Sequence, residues 1–287
     1  MNILQDIARR LQAIFPSGVA RAVARILLED GFLLSQTDIL LGKDSELSAE
    51  QRCRLEKCVQ RLLAGEPVQY VTGTCFFLGR PFSVRPGCLI PRPETEDLVA
   101  AIVDFVKQHP NADKQERPLR ILDIGTGSGC IAVSLASELG ASAQVEAWDI
   151  STDALAIARE NAEKFQSTVS FQQVDVLKTP DSSVFFDLIV SNPPYVRELE
   201  KADMEANVLE HEPALALFVP DDDPLLFYRS IANYAFRHLT PGGTLWFETN
   251  RYLITDTAHL LKRIGFPQIE TITDRFGHPR HLKAIRP

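Results

Sequence analysis

Asn192-Pro193-Pro194-Tyr195 directly follows Phe186-Asp187-Leu188-Ile189-Val190, an apolar run that reads as a buried strand. These four residue types suit work on a planar nitrogen. The lone pair of an amide or exocyclic amine is delocalised, so a catalyst must hold it in line with an electrophilic carbon and favour the geometry that frees it. The Asn192 side-chain oxygen and the Pro193 carbonyl can accept the nitrogen's hydrogens. Two prolines remove competing N–H donors and keep the loop extended, and the Tyr195 ring can cover the planar group. Taken alone, the tetrapeptide reads as well as a rigid turn with Tyr195 packing beneath it.

Upstream lies Asp123-Ile124-Gly125-Thr126-Gly127-Ser128-Gly129. Closely spaced glycines let backbone approach a ligand where a Cβ would obstruct it, and the following helix offers unpaired N–H groups. A dinucleotide fingerprint needs glycine at position 130, where Cys130 stands. The shorter G-x-G-x-G is the pattern of an S-adenosylmethionine loop, which cradles no pyrophosphate. Asp149 ends a second strand-like run and can accept from both ribose hydroxyls; by itself it reads equally as a cap for the next helix. Asp175, after a third run, could accept from an adenine amino group or simply close a surface turn. Jointly the two loops point to methyl transfer onto a planar nitrogen.

The elements that must position these residues alternate. Leu119–Ile124, 143–148, Val169–Gln173 and 185–190 read as strands, separated by helices at Cys130–Leu139 and 152–165. A helix is expected over 224–239, a turn at Pro241-Gly242-Gly243, a strand over 244–248, a helix to Ile264, and strands near 269–272 and 282–285. Such alternation implies a doubly wound sheet. Residues 3–64 instead repeat apolar positions at helical spacing, as in Ile7, Leu11 and Ile14, then Val19, Val23, Ile26 and Leu27. Breaks are expected at Pro16-Ser17-Gly18, Gly31, Gly42–Ser45 and Gly65-Glu66-Pro67, and Ser48 with Gln51 forms a capping box. Residues 75–84 read as a hairpin, Pro91–Glu96 opens a helix, and 108–118 is a polar loop. The expected division is 1–73 helical, 74–90 a β-hairpin linker, and 91–287 the α/β domain.

With 287 residues, 45% of them hydrophobic, the chain can bury a large core. No apolar run reaches membrane-span length and the N-terminus has no basic leader, so a cytoplasmic, non-membrane protein is expected. Five unpaired-looking cysteines and two isolated histidines, His278 and His281, suggest reduced thiols and no metal. A net charge of -8 disfavours a nonspecific nucleic-acid footprint and makes a basic protein partner more plausible.

The motifs together resemble the glutamine methyltransferases of class I peptide-chain release factors, the HemK/PrmC family, over nearly the full length. The resemblance is carried by Glu66-Pro67-Val68-Gln69-Tyr70 with Gly73, Leu89-Ile90-Pro91-Arg92-Pro93-Glu94-Thr95-Glu96, the glycine loop, Val190 to Val196, and Glu212-Pro213-Ala214-Leu215-Ala216-Leu217. It implies a seven-stranded, Rossmann-like S-adenosylmethionine-dependent methyltransferase domain preceded by a small helical domain that helps hold the release factor. It also implies that Asn192, Pro193, Pro194 and Tyr195 receive the glutamine of the target's Gly-Gly-Gln tip. Gly125, Thr126, Gly127, Ser128, Gly129, Asp149 and Asn192 would contact the cofactor, with S-adenosylhomocysteine as product. Leu177 stands where some relatives place a tryptophan against the adenine. Asp221-Asp222-Asp223-Pro224 and Glu248-Thr249-Asn250 depart from the family's usual residues. Arg92 and Glu94 to Glu96 read equally as entrance-shaping groups or as helix caps and ion pairs.

Rival readings are glutamine methylation of a ribosomal protein, methylation of a nucleobase amino group, and an adaptor that keeps the fold without catalysis. The Pro91–Glu96 segment favours the release-factor group over the first, and the acidic balance weighs against the second.

Overall fold

The computed structural model describes residues 3–109, 117–178 and 183–287. Its chain forms two compact units: one runs through Cys75 and adds Ser83–Pro86 and Met204–Glu212, and the other comprises Phe76–Phe82, Gly87–Asp203 and Pro213–Pro287.

The first unit opens with α1 (Ile3–Leu11), α2 (Ser17–Phe32), α3 (Gln36–Leu40), α4 (Ala49–Leu63) and α5 (Val68–Thr72). Their core is built from Ile7, Leu11, Ala20, Ala24, Leu27, Leu28 and Leu62 among others. The buried stripe of α2 thus runs through its alanines and leucines, while Val19 and Ile14, expected inside, are exposed. Gly31 does not break α2. The helix continues to Phe32 and closes on Leu33, whose φ of 56° is left-handed. A Cβ at Gly31 would lie 3.3 Å from Thr72 Cγ2, so the glycine permits close packing of α2 on α5. The capping box is present: Gln51 N donates to Ser48 Oγ at 3.1 Å, and Ser48 N donates to Gln51 Oε1 at 2.8 Å. Ser48→Ala is expected to cost the helical unit about 1 kcal/mol, read from its denaturant midpoint.

After the hairpin β1 (Thr74–Phe77) and β2 (Arg80–Ser83) come α6 (Pro93–Gln108), β3 (Leu119–Ile124), α7 (Cys130–Leu139), β4 (Ala143–Asp149), α8 (Thr152–Lys164), β5 (Val169–Gln173) and β6 (Phe186–Ser191). The polar loop expected over 108–118 falls mostly outside the described residues. The chain goes on through β7 (Val196–Arg197), α9 (Ala206–His211, in the first unit), α10 (Ala214–Leu217), β8 (Phe218–Val219), α11 (Leu226–His238), β9 (Leu239–Glu248), α12 (Ile254–Ile264), β10 (Gln268–Thr273) and β11 (Pro279–Ile285).

Among the described residues, seven strands form one sheet in the order β10-β11-β9-β6-β3-β4-β5, with β11 antiparallel to both neighbours and the central pairs parallel. This is the expected Rossmann-like architecture with an antiparallel edge. A central parallel strand is covered on both faces, which is why β6 is buried at every position and reads as a continuous apolar run. Two cores flank the sheet, one with α6 and α7 around Leu98, Ile102 and Val133, the other with α11 and α12 around Tyr228, Ile231 and Leu261.

One expected turn is a bulge instead. The β9 partners of β6 jump from Leu239, opposite Phe186, to Thr244, opposite Leu188. Pro241-Gly242-Gly243 therefore bows out within β9 rather than preceding it. A Cβ at Gly243 would sit 2.8 Å from Thr240 O, so the bulge requires glycine there.

Candidate active site

β3 and β6 are adjacent, and Ile124 pairs with Ser191 at their carboxyl ends. The glycine loop and the tetrapeptide leave the sheet from neighbouring positions. Strand order reverses at this point, where α/β sheets open a crevice. Ser191 Oγ donates to Ile124 O at 2.6 Å and ties the two exits together.

Gly125 N and Thr126 N both donate to Trp148 O, at 2.8 and 2.9 Å, which folds the loop back over β4. Gly125 and Gly127 have φ of 76° and 56°, with open space where a Cβ would stand. Gly129 serves packing: φ is 80° and its Cβ would lie 3.0 Å from that of Ala158 on α8. Gly129→Ala is expected to destabilise the α/β unit by about 3 kcal/mol, combining left-handed strain with overpacking, as urea unfolding will show. Thr126 Oγ1 donates to Asp123 Oδ2 at 2.7 Å and Ala132 N donates to the same oxygen at 3.2 Å. Asp123 thus pins the loop from beneath, and burial pushes its carboxyl up to about 7.

A cavity of about 210 Å³ opens at this edge, lined by Gly125, Gly127, Asp149, Asp175, Leu177 and Asn192, together with Pro193 and Pro194. Sequence reasoning placed all eight at a site, and the structure brings them to one cavity. Thr126, Ser128, Gly129 and Tyr195 do not line it. The first three shape the loop from behind, Ser128 through its carbonyl, which accepts from Asn161 Nδ2 at 2.9 Å.

Asp149 is set by backbone on both oxygens. Gly127 N donates to Oδ2 at 2.8 Å and Ser151 N to Oδ1 at 2.9 Å. Burial raises its carboxyl above the ordinary value. A carboxylate on the cavity wall has further acceptor capacity, enough to accept a vicinal diol. Glycine cradle and diol acceptor together fit a nucleoside-bearing cofactor. Asp175 closes a turn, accepting from Leu177 N at 3.0 Å and pairing with Lys178 Nζ at 3.1 Å, and still reaches the wall. The apolar side of the cavity includes Cys88, Ile150 and Ile231, which sequence reasoning did not single out, and Leu89 from a motif that carries the resemblance.

Asn192 Nδ2 donates to Thr95 Oγ1 at 3.2 Å, and among the described residues none donates to its Oδ1. Tyr195 donates its hydroxyl to Glu248 Oε1 at 3.3 Å, and burial pushes the phenol upward. The chain beyond Tyr195 is held by the β7–β8 pair, absent from the sequence reading, and by Asn250 Nδ2 donating to Tyr195 O at 3.3 Å. Among the described residues, no three His, Cys, Asp or Glu side chains cluster as a metal site needs, and no helix is long and apolar enough to cross a membrane.

A mixed seven-stranded sheet with this cavity at its reversal point defines a Rossmann-like methyltransferase, and a family model described as a methyltransferase domain matches residues 115–274. A second, the PrmC N-terminal domain, matches residues 2–73. The fold is shared with a Thermus thermophilus 16S rRNA N2 G1207 methyltransferase solved with AdoMet and guanosine, at TM-score 0.53 and 19% identity over 75% of this chain and half of that one. A Pyrococcus furiosus methyltransferase aligns at TM-score 0.50 and 19% identity, covering 83% of this chain and 99% of that one. Sequence relatives are closer. The release factor glutamine methyltransferase of Bacteroides thetaiotaomicron is 47% identical over 99% of both chains, and that of Flavobacterium psychrophilum 42% identical over 99% of this chain and 98% of the relative. The chain belongs to the release factor glutamine methyltransferase family.

Proposed function

We propose that the protein methylates the side-chain amide nitrogen of the glutamine in the Gly-Gly-Gln motif of class I release factors, using S-adenosylmethionine. The observation that carries this reading is the cavity shared by Asn192-Pro193-Pro194 and the Gly125–Asp149 cradle, in a chain of this family. When bound, the cofactor supplies a methyl group on a positively charged sulfur.

The protein's own residues do the rest. Gly125 and Gly127 would admit the cofactor close to backbone, Asp149 would accept its ribose hydroxyls, and Asp175 and Leu177 would border its adenine. Thr126, Ser128 and Gly129 act by holding the loop. Asn192 Oδ1 and the Pro193 carbonyl accept the two amide hydrogens of the target glutamine, which aims the nitrogen lone pair at the methyl carbon. Tyr195 lies off the cavity lining, packed against the core and fixed through its hydroxyl, and supports the loop that holds the amide. Methyl transfer from the sulfonium would make the amide nitrogen acidic, and its proton would leave to water. S-adenosylhomocysteine is the second product.

In this reading residues 1–73 help hold the release factor, 74–90 form the linker and 91–287 carry the chemistry, all in the cytoplasm and without direct contact to nucleic acid. The test is to incubate the protein with methyl-labelled cofactor and, separately, a release factor, ribosomal proteins and RNA. Label on the release factor alone is expected; label on ribosomal protein or RNA with the release factor untouched overturns the proposal.

A further inference from the structure

The side-chain amide of Asn192 has two ends of nearly equal size, and only one of them can accept a hydrogen from a substrate amide. Something must decide which end faces the cavity. Thr95, in the first turn of α6, is 2% exposed and takes the proton of Asn192 Nδ2 on its Oγ1 at 3.2 Å. A hydroxyl alone cannot make that choice, because it donates and accepts with equal ease. Its own proton, however, is already committed to Glu248 Oε2, 2.7 Å away.

Glu248 ends β9, whose Phe247 pairs with Ser191 at the end of β6. The carboxylate is therefore beside the tetrapeptide from the adjacent strand, 1% exposed and off the cavity wall. Burial pushes the Glu248 carboxyl up to about 7, so above that pH it is ionised and only accepts. It takes the Thr95 proton on one oxygen and the Tyr195 hydroxyl proton on the other, at 3.3 Å. Burying such a group is costly, and a neutral side chain of the same size would be cheaper to place there.

The first turn of α6 is itself anchored against movement. Arg275, in the turn between β10 and β11, ion-pairs with Asp97 and Glu96 at 2.8 and 2.9 Å, and His281 Nε2 donates to the Glu94 carbonyl at 3.0 Å. Leu78 N donates to Glu96 Oε1 at 2.8 Å. The carboxylates around Thr95 are thus structural, and Thr95 is the residue among them turned toward Asn192.

We propose that Thr95 and Glu248 are positioning residues: Glu248 polarises Thr95 as an acceptor, which fixes the Asn192 amide with Oδ1 toward the substrate, and the same carboxylate orients the Tyr195 ring. This rests on the reading of Asn192 as the acceptor of the glutamine amide. The pair acts on the orientation of the reacting nitrogen, so its loss should appear in turnover and leave both ligands' affinities nearly unchanged.

Thr95→Val keeps the shape and removes the hydroxyl, Thr95→Ser restores the hydroxyl, and Glu248→Gln keeps the volume but introduces a donor. Methyl transfer to a release factor is measured for each, with cofactor affinity by calorimetry and folding by thermal melts. Thr95→Val and Glu248→Gln are expected to lower kcat about 10- to 100-fold, with KM and cofactor Kd within about twofold, while Thr95→Ser recovers most of the rate. Unchanged kcat in Thr95→Val overturns the inference, as does a Thr95→Ser variant as slow as the valine. If Thr95→Val fails to fold, Glu248→Gln and Thr95→Ser decide by the same kcat criterion. Wild-type protein that leaves the release factor unmethylated overturns the functional reading itself, whereas wild-type transfer with unimpaired variants overturns only the role of this pair.

Discussion

Replacing Asn192 by alanine is expected to slow single-turnover methyl transfer about 100- to 1,000-fold, the range found when one preorganised polar group at a reacting centre is removed. The physical reason is the weakness of an amide nitrogen as nucleophile. Its lone pair is shared with the carbonyl, and the reaction proceeds only from geometries in which that sharing is reduced. Asn192 stands at the end of a fully buried strand, its amide nitrogen held by Thr95, so its oxygen is offered in a fixed direction without the entropy cost of a mobile side chain. Alanine removes the acceptor and leaves the strand intact, because the side chain contributes a single hydrogen bond to the fold. A folded Asn192→Ala variant that turns over near the wild-type rate would remove Asn192 from the mechanism.

The second large effect is expected at Asp149. Asp149→Asn should raise the S-adenosylmethionine Kd about 100-fold, corresponding to about 2.7 kcal/mol, which calorimetry can read. Both carboxylate oxygens accept backbone N–H groups, one from Gly127 in the glycine loop and one from Ser151. An asparagine can satisfy only one of them, since its NH₂ end must then oppose the other donor. The loop therefore loosens just where the cofactor should lie, and the ribose loses an ionised acceptor, a hydrogen bond of about 1.5–3 kcal/mol. Wild-type affinity in this variant would exclude the assigned role.

How much of this was legible depends on the range of the signal. The parallel strands β3 to β6, the glycine loop and the tetrapeptide are local patterns: apolar runs of strand length, glycines where φ must be positive, prolines where N–H groups are unwanted. Asp149 was legible because it stands at the end of such a strand. Gly31 misled because a glycine within a helix marks either a break or a close approach, and the deciding atom, Thr72 Cγ2, lies 41 residues away. The bulge at Pro241-Gly242-Gly243 has turn composition, and only pairing with β6 shows that the strand begins before it. Tyr195 was read from its ring, whereas its position is governed by its hydroxyl on Glu248. Thr95 and Glu248 are 153 positions apart, and neither residue type announces the other. The helix-opening motif reads equally as entrance-shaping or as capping and a local ion pair; Arg92 makes no side-chain cap, and Glu94 and Glu96 pair instead with the distant Arg280 and Arg275, which the sequence does not announce.

One amide nitrogen on one glutamine is expected to receive the methyl group. Fragmentation mass spectrometry of a release factor treated with the protein and S-adenosylmethionine tests it most directly. A single added methyl is expected on the side chain of the Gly-Gly-Gln glutamine, and none in a parallel reaction with that glutamine replaced by alanine. A methyl on any other residue, or one that persists after that replacement, would contradict it.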